Sequence, residues 1–355
     1  MKHNIAQILQ DELVISKATS HPENTVFEFE KNGDLKLQSG EKIFNTLSNN
    51  FLGFNGLNSR TLSGSFYAGK SQTIIKTEKS ISRFLQTQDT LIFGSYEGLC
   101  ADVLESLFNT EDVIIYDSAV SLSMRRGVKV CNAQKLRYPH SDMQTLEQHL
   151  KLSMLKRLRV IVSDGIFYDS GECADLKQIR LLAEKYDAII ILDDSYGFLT
   201  CGSSGRGSDD LCGVRGFQDL KIVNMQNALG CPVGAFATGN STITELLRFR
   251  CRCYREALMP EEKTLENVYE ILENQKEKVF DLIETLHENA KKIALKLQNL
   301  GFSPQIPPAG IVSFQSEMPK EEIKSILKEN NLAATYSKVG KNTLVSLKVS
   351  ATWEL

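Results

Sequence analysis

The hydrophobic pattern becomes regular from about residue 74. Helical spacing in Ile74 to Leu85 (IIKTEKSISRFL) is followed by a short apolar run, Leu91-Ile92-Phe93. A helix from about Gly98, the strand Val113-Ile114-Ile115-Tyr116 and a helix ending near Leu150 come next. The strand Val160-Ile161-Val162, a helix through Leu182 and the strand Ala188 to Leu192 complete the series. Short, continuous apolar strands alternating with amphipathic helices predict an α/β fold. Its central sheet is mostly parallel and covered on both faces.

The character changes around Met259-Pro260. One long helical pattern runs from about Thr264 to Leu300, with Val268, Ile271, Leu272, Val279, Ile283, Leu286, Ile293 and Leu297 on its apolar stripe. Gly301 stands where a C-terminal cap belongs, and Pro304, Pro307 and Pro308 then break the structure. A short α/β tail follows: Ile311 to Phe314, a helix from about Lys320 and a strand near Leu344 to Val349. The first 40 residues are polar and mixed, and read as an arm or a small strand around Val26 to Phe29. Three regions are expected: an N-terminal arm (1–54), a large domain (55–255) and a small C-terminal domain (256–355).

The 355 residues, 42% hydrophobic and 24% charged, are enough for one large core with a smaller attached domain. A net charge of −3 gives no general attraction to nucleic acid or anionic membrane. The basic cluster Arg248, Arg250, Arg252 and Arg255 reads as a solvated or interface face. The eight cysteines include no CxxC pair. Cys251 and Cys253 fall in a segment read as helix, where they would point to different sides, so no metal is expected. Scattered cysteines without a secretory signal fit a reducing, cytosolic setting, and no run of 18 apolar residues is present.

Two segments carry polar side chains just past a buried strand. Ile189 to Leu192 ends in Asp193-Asp194-Ser195-Tyr196-Gly197, and Lys221 to Val223 leads into Asn224-Met225-Gln226-Asn227-Ala228-Leu229-Gly230. Ligands of open α/β sheets bind at such strand ends. Taken alone, the first segment reads equally as a pair of acids capping a turn, and the second as an ordinary strand-to-helix loop.

With their spacing, these segments resemble the α-oxoamine synthases, pyridoxal-phosphate (PLP) enzymes of fold type I. Asn49-Asn50-Phe51-Leu52-Gly53 is similar to the family's N-N-Y-L-G, and His140-Ser141-Asp142-Met143 to H-N-D-M. Ser163-Asp164-Gly165-Ile166-Phe167, with Asp169, Gly171 and Leu176, resembles E-G-x-F…D-G…P-L. Leu192 to Gly197 resembles V-D-E-A-H-G, and Gly202 to Gly207 matches G-x-x-G-R-G. The resemblance covers roughly residues 45 to 350. It implies a fold type I transferase, like aspartate aminotransferase, with a smaller C-terminal domain.

The same resemblance implies a disabled site. The family's T-F-S-K-A falls on Met225-Gln226-Asn227-Ala228, so Asn227 stands where the Schiff-base lysine belongs. Lys221 starts the preceding strand, about 20 Å upstream at the strand rise, beyond a side chain's reach. The ring-stacking His falls on Ser121, the second His on Tyr196, the phosphate segment S-T-S-L-P on Glu256 to Pro260, and the carboxylate-binding Arg on Ser346. Asp193 alone keeps its identity, as the pyridinium partner. Without that cation it is expected to be solvated or bonded to Asn227 or Tyr196.

Within the family, Asn224 to Leu229 is similar to the N-M-E-N-A-L of the lysine-less subunit of heterodimeric serine palmitoyltransferases, and Ser65-Phe66-Tyr67-Ala68 to its G-F-Y-G. That similarity implies condensation of L-serine with palmitoyl-CoA in a complex. The lysine-bearing partner would bind PLP, and nothing would be held covalently on this chain. Asn50 and Tyr67 would form part of the shared pocket wall, and the complex would lie at the cytosolic side of the endoplasmic reticulum. The family's helix after N-N-F-L-G, its N-terminal membrane helix and its final helix are not found in the sequence, as in a reduced form. Two other readings stay open: an active, aminooxononanoate synthase-like homodimer, and a scaffold without catalysis. A nicotinamide dehydrogenase fits poorly, because Gly53, Gly56 and Gly64 lack the dinucleotide spacing.

Overall fold

A computed structural model describes residues 5–19, 25–29, 34–44, 69–306 and 308–353. Asn50, Tyr67 and the N-N-F-L-G segment lie outside the described residues. Four strands near the N-terminus, β1 (Val26–Phe29), β2 (Leu35–Leu37), β3 (Lys42–Ile43) and β4 (Lys70–Ser71), form a small sheet in the order β3-β2-β1-β4. The central sheet contains β5 (Asp89–Phe93), β6 (Val113–Asp117), β7 (Gln134–Tyr138), β8 (Arg159–Asp164), β9 (Ile189–Asp193), β10 (Leu220–Asn224) and β11 (Ala235–Gly239). Their order is β5-β11-β10-β9-β8-β6-β7. The pairings from β10 through β7 are parallel, and β11 runs antiparallel to both β10 and β5. This is the mostly parallel sheet that the apolar runs predict.

The sheet is buried because helices cover both faces. Helices Tyr96–Leu107, Leu122–Val130 and Ser241–Arg250 pack on one face with Ile114, Val160, Ile191 and Ile222. Helices Met143–Leu152 and Leu176–Tyr186 cover the other, against Ile115, Ile161, Ile190 and Leu192. Many of these helices begin at a capping side chain: Ser95 accepts from Gly98 N–H, Ser121 from Met124 N–H, and Asp175 from Gln178 N–H. The edge strand β7 differs: Gln134, Lys135 and Arg137 are exposed on it.

Two elements depart from the sequence reading. The strand expected at Val26 to Phe29 is present as β1, but residues Ile5–Thr19 form a helix that the sequence reading did not place, burying Leu9 and Leu13 in the core that contains Phe249. Glu12 on it bridges Arg157 (2.6 Å) and Arg250 (2.5 Å). The long C-terminal helix is in fact two, Glu262–Asn274 and Lys276–Asn299, broken at Gln275. The break lets each half bury a different core. Leu265, Val268 and Leu272 pack with Ile81 and Phe236, whereas Ala290, Ile293 and Leu297 cover the C-terminal sheet. That sheet has the order β12-β14-β13, from β12 (Ile311–Ser316), β13 (Thr335–Val339) and β14 (Asn342–Lys348), with helix Lys320–Glu329 against it.

Cys251 and Cys253 also correct an expectation. Cys251 leaves helical backbone (φ −74°, ψ 115°), ending helix Ser241–Arg250 and preceding the short helix Arg252–Arg255. The break turns the two side chains to one side, and their sulfurs lie 3.3 Å apart.

Candidate functional site

The C-terminal ends of β6, β8, β9 and β10 bring Ser121, Asp164, Asp193 and Asn227 into one region. Alternation along β9 sends the two acids of the Asp-Asp pair to opposite faces. Asp193 points with Ile191 toward the helix Tyr96–Leu107. Its two carboxylate oxygens are both committed. Oδ1 accepts from Ser195 Oγ (2.5 Å) and Ser195 N–H (3.1 Å). Oδ2 accepts from the Tyr96 hydroxyl and from Ser121 Oγ (3.3 Å). Asp193 is 3% exposed. The expected partners Asn227 and Tyr196 are not the ones it uses: Tyr96 enters from the first turn of its helix, close enough to displace them.

Burial raises the Asp193 carboxyl above its usual range, against the pull of these hydrogen bonds. Burial and the neighbouring Asp193 push Asp164 well up as well. One Asp164 oxygen accepts Ser121 N–H (2.9 Å), and the other is buried and meets no donor among the described residues. Desolvation and the Asp193 charge keep the Tyr96 phenol protonated, so it remains a donor.

Asp194 turns to the other face and meets Lys221. The Lys221 ammonium, 1% exposed, contacts Asp194 (2.9 Å), Asp209 (2.7 Å) and the Arg206 carbonyl (3.0 Å). Burial alone would lower its pKa, but the two carboxylates outweigh that and hold it charged. Three glycines make room for this cluster. A Cβ at Gly165, Gly197 or Gly207 would lie 2.5, 2.1 or 1.9 Å from an Asp194 oxygen. Residues from three of the motifs read from the sequence therefore build a buried ion cluster.

Asn227 sits on an exposed turn after β10, and its Nδ2 donates to the Ser195 carbonyl (2.9 Å). His140 bonds Asp117 (3.0 Å) and Glu172 (3.0 Å) and packs edge-on to Phe167. Burial opposes its protonation, yet the two acids bring its pKa up overall. Ser346 donates to the Asp169 carbonyl, tying β14 to the loop after β8. Glu256 is exposed and pairs with Arg252 (3.7 Å). Two residues were not singled out from the sequence. Tyr96 carries no motif signal, only its place at a helix start after a strand. Lys348 lies 4.1 Å from the Tyr168 ring centre and 3.3 Å from the Tyr196 hydroxyl.

A family model for aminotransferase class I and II matches residues 63–343. The 2-amino-3-ketobutyrate coenzyme A ligase of Escherichia coli (strain K12) is 30% identical over 271 residues, which is 72% of this chain and 68% of that one. The chain belongs to the α-oxoamine synthase family. An 8-amino-7-oxononanoate synthase of Thermosipho melanesiensis is 28% identical over 316 residues, 83% of this chain and 79% of the relative. In fold, the chain resembles Sphingomonas wittichii serine palmitoyltransferase, with a TM-score of 0.76 at 18% identity over 98% of this chain and 92% of that one. The fold is the fold type I, aminotransferase-like fold.

Members of this family are PLP-dependent acyltransferase-type enzymes. The described residues of this chain do not fit that cofactor in the family manner. A pyridinium needs a free carboxylate oxygen, and both Asp193 oxygens are taken by the chain's own donors. An imine needs an amine, and Asn227 offers an amide. The helix that brings Tyr96 to Asp193 carries Glu97 in its first turn, an acidic neighbour for any phosphate there.

Proposed function

We propose that this chain is the lysine-less subunit of a heterodimeric serine palmitoyltransferase. The complex would condense L-serine with palmitoyl-CoA to 3-ketodihydrosphingosine, releasing CO2 and CoA. The observation that carries this reading is the pairing of Asn227, in Asn224-Met225-Gln226-Asn227-Ala228-Leu229, with an Asp193 already saturated by Tyr96, Ser121 and Ser195. On this reading the partner subunit binds PLP and supplies the lysine. This chain stabilises the partner across a large obligate interface and contributes a pocket wall through Asn50 and Tyr67. The complex works at the cytosolic side of the endoplasmic reticulum. Among the described residues, no helix is long and apolar enough to cross a membrane.

The test is spectroscopic. Purified alone with added PLP, the chain is expected to show no visible internal-aldimine absorbance. Co-purified with a lysine-bearing homologue, the complex is expected to show it, and borohydride is expected to trap the pyridoxyl group on the partner only. A pyridoxyl group trapped on this chain would replace the reading with that of an active synthase. A stable homodimer that ignores the homologue would make it a scaffold.

A further inference from the structure

The break at Cys251 creates a cluster outside the site described above. Cys251 is fully buried, and Cys253 and Asp102 are partly buried. One ligand atom from each lies within 4.8 Å of the others. Asp102 comes from helix Tyr96–Leu107, which packs against the short helix Arg252–Arg255 that carries Cys253. The Asp102 carboxylate accepts Cys253 N–H (2.7 Å), which fixes one oxygen and aims the carboxyl at the sulfurs.

We propose that Asp102, Cys251 and Cys253 bind a thiophilic divalent cation of the zinc class. Two thiolates and a carboxylate are three ligands of the kind such ions take, with the fourth tetrahedral position left to water. The sulfurs, 3.3 Å apart, are well beyond a disulfide bond. They need to open by only a few tenths of an ångström to reach the roughly 3.8 Å edge of a tetrahedron with zinc–sulfur bonds of about 2.3 Å. Binding converts both thiols to thiolates and releases two protons to solvent, so affinity rises with pH. The ion would pin the junction after helix Ser241–Arg250 to the helix that carries Tyr96.

The test uses the full chain, reduced, freed of metal with a chelator and titrated with Co2+. One equivalent of cobalt is expected to give thiolate-to-cobalt charge-transfer bands and to release protons. Cys253→Ser is expected to abolish the bands. Asp102→Asn is expected to weaken binding by about tenfold or more, with circular dichroism confirming that each variant folds. A Cys173→Ser/Cys212→Ser variant, which removes another close thiol pair (3.5 Å), is expected to bind unchanged. Absence of the bands in the folded reduced chain would overturn the proposal. So would bands that survive in Cys253→Ser, or isolation of the chain with Cys251 and Cys253 joined as a disulfide.

Discussion

The Tyr96 hydroxyl donates to the Asp193 carboxylate at the end of β9. The phenol thus supplies, from within the chain, a proton donor of the kind that this family draws from a bound pyridinium. Tyr96→Phe removes one donor from a buried acid whose pKa burial already raises. It is expected to cost about 1–3 kcal/mol in chemical denaturation. An unchanged midpoint would mean that the bond contributes nothing.

Lys221 is the sole cation within bonding distance of Asp194 and Asp209 among the described residues, and all three are buried. Lys221→Met leaves two buried carboxylates facing each other. The expected loss is about 3–5 kcal/mol, seen as a large drop in the urea midpoint or as insoluble expression.

These two clusters mark what the sequence disclosed. The parallel sheet followed from runs such as Val160-Ile161-Val162, because a strand buried on both faces has few alternatives. The place of Asn227 after β10 followed from its motif. Tyr96 was invisible because nothing in Gly94-Ser95-Tyr96-Glu97 records that the side chain turns back toward β9; that depends on helix packing. The Asp194–Lys221–Asp209 cluster was hidden because its members come from three separate segments. Cys251 and Cys253 were misjudged because helical periodicity does not register a single extended residue between two helices.

Asp219 gives a pH signature. Its carboxyl accepts Ile190 N–H (2.8 Å), and burial raises its pKa from 3.8 to about 6. The folded chain therefore holds this proton more tightly than the unfolded one. Its contribution is fully present below about pH 4 and is lost as pH rises through about 6. Asp219→Asn is expected to reduce the fall in Tm of the wild type across that window. Parallel Tm–pH curves for the two proteins would show that Asp219 does not titrate there.

Gly94 directly follows β5, where a Cβ would lie 1.7 Å from the Leu258 carbonyl oxygen. Gly94→Ala must displace the Leu258-Met259 backbone, and overpacking of this kind costs about 1–3 kcal/mol. Differential scanning calorimetry is expected to show the loss. A neutral result would mean that this segment yields without strain.

The charged face of β7 has a consequence for handling the molecule at high concentration. An open sheet border offers unpaired amide and carbonyl groups to any neighbouring chain, and two cations placed there make such stacking repulsive. Sheets from separate molecules are thereby kept from zipping into fibrils, and assembly is left to surfaces where side chains, not backbones, choose the neighbour.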